Sequence, residues 1–128
     1  MKKIPMLLGP WYQDNVAAGQ LNVALNLNGN ALRADQPIIR NGSILGIALH
    51  SNEACTAGTL VAEVTVNGLA TGLTTDLDAL VHTTDNQTTQ NKLLDAVAAG
   101  ALIGARITSS GLWAPATADI TVTVLVEQ

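Results

Sequence analysis

Apolar and polar residues alternate with a period of two along most of the chain, the pattern that puts every second side chain on one face of a strand. Leu21, Val23, Leu25 and Leu27 alternate with Gln20, Asn22, Ala24 and Asn26, and Asn28-Gly29 follows as a turn. Ile38 and Ile39 lead to Asn41-Gly42, a dipeptide that tolerates positive φ, and Ser43 to His50 reads as a mostly apolar, buried strand. Leu60, Ala62, Val64 and Val66 alternate with Thr59, Val61, Glu63 and Thr65 before a hairpin signal at Asn67-Gly68. Leu69, Thr71, Leu73, Thr75 and Leu77 carry the return strand, with Gly72 marking a bulge or a close approach. Val81 to Gln90 reads as a long polar loop. Lys92 to Ala99 is the one stretch with helical spacing, at Leu93, Leu94 and Val97, and Gly100 stops it. Ala101, Ile103, Ala105 and Ile107 resume the alternation, Ser109-Ser110-Gly111 turns the chain and Trp113-Ala114-Pro115 forms a corner. Ile120, Val122, Val124 and Val126 make a last strand of high β propensity.

About seven short strands with turns roughly 8–12 residues apart predict an all-β chain, a single antiparallel β-sandwich of jelly-roll type, and exclude parallel α/β architectures. The first residues break this rhythm, because Pro5, Gly9 and Pro10 interrupt Met6, Leu7, Leu8, Trp11 and Tyr12. The expected organisation is an N-terminal arm over 1–19 and a sandwich over 20–128. An arm this apolar is a liability in water, so it either packs as a strand on its own sandwich or docks on another subunit. On the second reading, a chain lacking residues 2–13 remains a folded β protein.

Composition changes the picture. Of the 128 residues 48% are hydrophobic, 12% are charged and 2% are aromatic, Phe is absent, and the net charge is −4. Soluble chains carry about 25% charged residues, so much of this surface is expected to be covered by partners, with Asn and Thr solvating the rest. Lys2, Lys3, Arg33, Arg40, Lys92 and Arg106 are scattered, without the clustered basic face or interleaved aromatics of a nucleic-acid binder. The Met1-Lys2-Lys3 start resembles a secretory n-region, but the apolar run ends at Gly9-Pro10, short of the ~7–15 residues of an h-region. No stretch approaches the ~18 apolar residues of a membrane span. A protein made in a reducing cytoplasm is expected, and the lone Cys55 agrees.

Chemistry-bearing patterns are sparse. Gly42-Ser43-Ile44-Leu45-Gly46 lacks the Lys and the following helix of a phosphate loop and the spacing of a nucleophile elbow. His50-Ser51-Asn52-Glu53 holds the parts of a hydrolytic site, yet triads converge from separate elements, and a Ser/Asn turn explains the same residues. One Cys and two distant His leave no zinc spacing. Asp76, Asp78, Asp85 and Asn86 offer oxygen ligands without the dense alternation of a calcium loop, so solvated loop carboxylates are the better account. The expectation is no enzyme activity, no cofactor and no metal. Sugar binding needs stacked rings, and only Trp11, Tyr12 and Trp113 are present. Trp113, between Leu112 and Ala114-Pro115, reads as a corner packing residue rather than a platform.

The segment from Gly42-Ser43-Ile44 through His50-Ser51-Asn52-Glu53, continuing as Ala57-Gly58-Thr59-Leu60 to Val66-Asn67-Gly68, resembles tailed-phage head decoration (cement) proteins and related head-fibre domains. The likeness extends through Ser110-Gly111-Leu112-Trp113-Ala114-Pro115 to Ile120, similar to that family's tryptophan-proline corner, and spans roughly residues 40–127. Cys55 and the apolar stretch Asn91 to Ala99 depart from the pattern. The resemblance implies a small β-sandwich, commonly a homotrimer, that staples neighbouring major capsid subunits on the outer capsid surface of the virion. A fibre-type glycan- or receptor-binding module is the alternative. Sparse charge and an apolar arm fit repeated contacts between identical subunits, since desolvating unpaired charge is costly. The expected interface anchors are Met6, Leu7, Leu8, Trp11, Tyr12 and Trp113.

Overall fold

The computed structural model describes residues 4–28, 30, 32–87 and 96–128. Eleven strands run in chain order: β1 (Pro5–Gln13), β2 (Val23–Ala24), β3 (Asn26–Leu27), β4 (Asp35–Pro37), β5 (Gly42–Ser51), β6 (Leu60–Val66), β7 (Leu69–Leu77), β8 (Thr83–Gln87), β9 (Ala96–Val97), β10 (Leu102–Ser109) and β11 (Ile120–Glu127). They form two antiparallel sheets. The six-stranded sheet has the order β3-β1-β11-β5-β8, with β9 also on β5, and the five-stranded sheet has the order β2-β10-β6-β7, with β4 also on β10. The expected all-β sandwich is therefore present.

The core lies between the sheets and is built by the alternation. Ile120, Val122, Val124 and Val126 of β11 are buried, as are Leu60, Ala62 and Val64 of β6 and Ile103, Ala105 and Ile107 of β10. β-branched side chains stiff at χ1 suit a pleated, half-buried surface. With no Phe in the chain, Trp11 and Trp113 supply the large volumes.

Residues 5–13 are not a free arm. They form β1, whose register runs from Pro5 opposite Glu127 to Gln13 opposite Ile120, with an irregularity between Leu8 and Trp11. Leu8 and Trp11 point inward and are buried, and Trp11 is 0% exposed. Its indole Nε1–H donates to the Ala34 carbonyl at 2.8 Å, which resolves the one polar group that a buried Trp must satisfy.

Three further elements differ from the sequence pattern, each for a physical reason. The single strand expected over Leu21 to Leu27 is split, because β2 pairs with β10 of one sheet while β3 pairs with β1 of the other. The chain crosses the edge of the sandwich at buried Leu25, whose N–H donates to the Ala105 carbonyl at 2.9 Å; alternation reads the same whichever sheet receives the residue. The polar stretch Val81 to Gln90 contains a strand, since Thr83 to Gln87 pairs with His50 to Gly46. An edge strand needs backbone hydrogen bonds more than apolar side chains, and polar edges resist further pairing. Of the expected helical turn, residues 92–95 lie outside the described residues, whereas Ala96 and Val97 pair with Ser43 and Gly42.

Three glycines do different work from one another. Asn67 and Gly68 have φ of 52° and 79°, both left-handed, as a two-residue hairpin turn requires. Gly42 was expected to turn the chain, but it begins β5 where a Cβ would meet the Glu127 carbonyl oxygen at 2.0 Å, so its role is close approach of two strands. Gly72, at φ 82°, sits where the β6–β7 register shifts between Glu63 and Thr65, the bulge its position in the sequence indicates.

Removing residues 2–13 deletes an interior strand and half the cover of β11, so the truncated chain should lose its cooperative unfolding transition. Trp11→Ala should cost about 3–5 kcal/mol, read from urea denaturation followed by circular dichroism.

Candidate functional site

The six anchors expected from the sequence divide between the core and the surface. Leu8, Trp11 and Trp113 are buried in the chain's own core and so cannot meet a partner, while Met6, Leu7 and Tyr12 are exposed along β1. Leu7 and Leu8 follow the strand period, as do Trp11 and Tyr12 beyond the irregularity in β1, whereas Met6 stands opposite buried Val126 and is still exposed. Trp113 closes the corner, its Nε1–H donating to the Val16 carbonyl at 3.1 Å, beside the bridge between Ala57 and Ala114. With both indoles inside, Tyr12 is the one ring of the three at the surface, 36% exposed.

The residues of the possible hydrolytic group are used structurally. Ser51 is 0% exposed, and its hydroxyl donates to the Glu53 carbonyl at 2.7 Å. The Glu53 carboxylate accepts from the Thr117 hydroxyl at 2.7 Å, and the Asn52 side-chain oxygen accepts from the Asp119 N–H at 2.8 Å. His50 Nδ1 lies 2.8 Å from the Thr83 hydroxyl, away from Ser51, because adjacent strand residues face opposite ways. These bonds tie the β5–β6 connection to the corner before β11. Asp76 pairs with Val61 in one sheet and Asp85 with Ala48 in the other. No group of three or more His, Cys, Asp or Glu among the described residues could hold a metal ion.

What the fold does assemble is a pair of unlike outer faces. On the five-stranded sheet, Arg106 and Glu63 stand opposite each other, with Nε and Nη2 at 2.8 and 2.5 Å from Oε1. The other Glu63 oxygen accepts from the Gly72 N–H at 3.2 Å, so the ion pair also fastens the bulge. Asp35 lies over Gly104 on the same face, where a Cβ would meet its Oδ1 at 2.6 Å. On the six-stranded sheet the outward row Leu7–Leu125–Gly46 is apolar, and the next rows hold Thr123 with Ala48 and Tyr12 with Thr121 and His50. Small residues at 46 and 48 leave a hollow of about 150 Å³ on this face, rimmed by Leu7, Leu125, Thr123 and Asp85.

This hollow is the feature that the sequence reading missed. Its signal was the alternation of Gly46 and Ala48 with Ile47 and Leu49 in β5, but the partners that make a surface of it come from β1 and β11, remote in sequence. A second feature is Leu80, whose φ of 69° is unusual for a non-glycine residue. It is held by its N–H to the Cys55 carbonyl at 2.7 Å and by Val81 N–H to the Asp78 carbonyl at 3.0 Å, and its side chain is 83% exposed. Cys55 itself is free and 0% exposed, its thiol 3.3 Å from the Ala57 and Gly58 carbonyls.

Neither a family model nor a curated protein matches the chain.

Leu80→Gly should keep the fold and raise stability by about 0.5–1 kcal/mol, as relief of the left-handed strain exceeds the added chain entropy. In the native protein the Cys55 thiol should react with a disulfide reagent only at the rate of opening, and promptly once urea unfolds the chain.

Proposed function

We propose that the protein is a structural component of a tailed-phage virion, a capsid decoration or cement protein that binds between major capsid subunits on the outer surface of the head and associates with itself as a homotrimer. Made in the host cytoplasm, it acts by burying surface and turns over no substrate. The observation that carries this reading is the distribution of apolar surface. Twelve large apolar side chains are exposed among the described residues, Leu7 and Tyr12 among them on the outer face of the six-stranded sheet. Burying such side chains against a partner is favourable, which fits a protein that works in contact with others. The resemblance of roughly residues 40–127 to head decoration proteins supplies the class of assembly.

Two exposed groups fit the two kinds of contact this role needs. Leu7 and Tyr12 lie on the face of the six-stranded sheet. Ile4, Ile39 and Leu102 gather toward the end where β1 begins and β11 finishes, since Ile4 pairs its backbone with Gln128 and the Ile39 N–H donates to the Gln128 side chain at 3.2 Å.

Purified protein added to phage heads lacking it should co-sediment with them and appear by electron microscopy as density repeated over the head. Density confined to the tail, or protein left in the supernatant, would overturn the decoration reading.

A further inference from the structure

We infer that His50 and His82 form a two-imidazole surface site for a divalent transition-metal ion that favours nitrogen ligands, Cu²⁺ above all, with water in the remaining positions. The site is independent of the proposed role in the virion.

The two histidines stand far apart in the sequence, and the fold brings them together. His50 lies near the end of β5, opposite Thr83 at the start of β8. His82 is the residue just before β8, and its carbonyl accepts from the Ser51 N–H at 2.8 Å. The preceding carbonyl, that of Val81, accepts from the Cys55 N–H at 3.1 Å, so the backbone is held on both sides of the pair. Both residues are exposed, which leaves the site open to an ion and to its water ligands.

The spacing of the rings suits a shared ion. Imidazole nitrogen binds such a metal at ~2.0–2.1 Å, which puts each ring centre ~3.2 Å from the ion. Two ring centres at that distance are then ~4.5 Å apart for a right-angled pair of ligands, ~5.2 Å for a tetrahedral pair and ~6.4 Å for a linear one. The His50 and His82 ring centres are 5.8 Å apart, with the planes tilted at 59°. That separation lies inside the range, so one ion can reach both rings without movement of the strands.

Hydrogen bonding assigns the ligating nitrogen of His50. Its Nδ1 lies 2.8 Å from the Thr83 hydroxyl, and metal binding selects the tautomer in which Nδ1–H donates to that oxygen and Nε2 carries the free lone pair. A hydrogen bond from the second ring nitrogen is the usual support of a metal-binding histidine, since it fixes both tautomer and orientation. The donor set also selects the ion. Imidazole suits Cu²⁺, Ni²⁺ and Zn²⁺, with Cu²⁺ bound most tightly, whereas Ca²⁺ and Mg²⁺ require oxygen ligands. A chain of net charge −4 attracts a cation in either case, so selectivity between these ions is what separates ligation from simple attraction.

Titration of the whole chain with Cu²⁺, followed by calorimetry and by electron paramagnetic resonance, tests the site. The wild-type protein should bind one equivalent with a signal showing two imidazole nitrogens, and Mg²⁺ at the same concentration should not compete. His50→Asn and His82→Gln, each checked for native circular dichroism, should weaken binding by about a hundredfold, because two ligands held on one scaffold act together. No binding by the wild-type protein, a signal from a single imidazole, competition by Mg²⁺, or unchanged affinity in either variant would overturn the assignment. The resonance signal of the wild-type protein decides the matter even where a variant fails to fold.

Discussion

Strand β11 is the member on which the rest of the sandwich depends. It lies between β1 and β5, pairing with the first over Glu127 to Ile120 and with the second over the same residues, so both of its backbone edges are used. Its four inward side chains, Ile120, Val122, Val124 and Val126, belong to the same buried cluster as Ala62, Val64 and Ile107 of the facing sheet. The chain's two ends meet there as well, through reciprocal backbone hydrogen bonds between Ile4 and Gln128 at 3.1 Å. Contacts between residues more than 100 apart in sequence cost loop-closure entropy to form, and the buried apolar area of the core must repay it. Gly42 belongs to the same arrangement, because only a residue without a side chain lets β5 begin so near the Glu127 carbonyl.

A chain with few charges still has to satisfy its backbone, and small polar side chains do much of that here. Ser109 and Ser110 accept from the Gln20 and Thr59 N–H groups at 3.0 Å, and Thr71 donates to the Val64 carbonyl at 2.7 Å inside the bulge. Asn15, Asn22, Asn28 and Asn67 all take positive φ, which Asn tolerates better than most residues. No buried side-chain nitrogen or oxygen among the described residues is left without a partner. Amide and hydroxyl groups therefore close loops and turns in a chain that has few charges to do so. The abundance of Asn and Thr and the scarcity of charge go together, since these short polar side chains satisfy the backbone at turns and edges.

Much of this was legible in the sequence, and the exceptions share a cause. The strands of the five-stranded sheet follow the alternation over Leu60 to Val64, Leu73 to Leu77 and Ala105 to Ser109, it breaks near the hairpin, where Thr65 is buried and Leu69 exposed, and the Asn67-Gly68 turn and the Gly72 bulge stand where their chemistry places them. Pattern failed where a segment's partners determine what it is. Met6 to Tyr12 reads as an apolar arm until β3 and β11 flank it, and Thr83 to Gln87 reads as a loop until β5 offers its edge. Leu21 to Leu27 reads as one strand because a period of two carries no information about which sheet receives each residue.

The same limit governed the candidate site. The sequence named three apolar residues on β1 that do lie at the surface, Met6, Leu7 and Tyr12, and three that do not, Leu8, Trp11 and Trp113; composition marks a side chain as sticky without saying toward what. By itself the sequence determined the all-β class, the turn positions and the shortage of charge, because these follow from local periodicity, backbone preference and counting. Only the tertiary structure decided that the N-terminal segment is an interior strand, that Trp11 is core, and that Leu7, Gly46, Ala48 and Leu125 share one face, because strand order and register bring together residues whose spacing along the chain carries no trace of it.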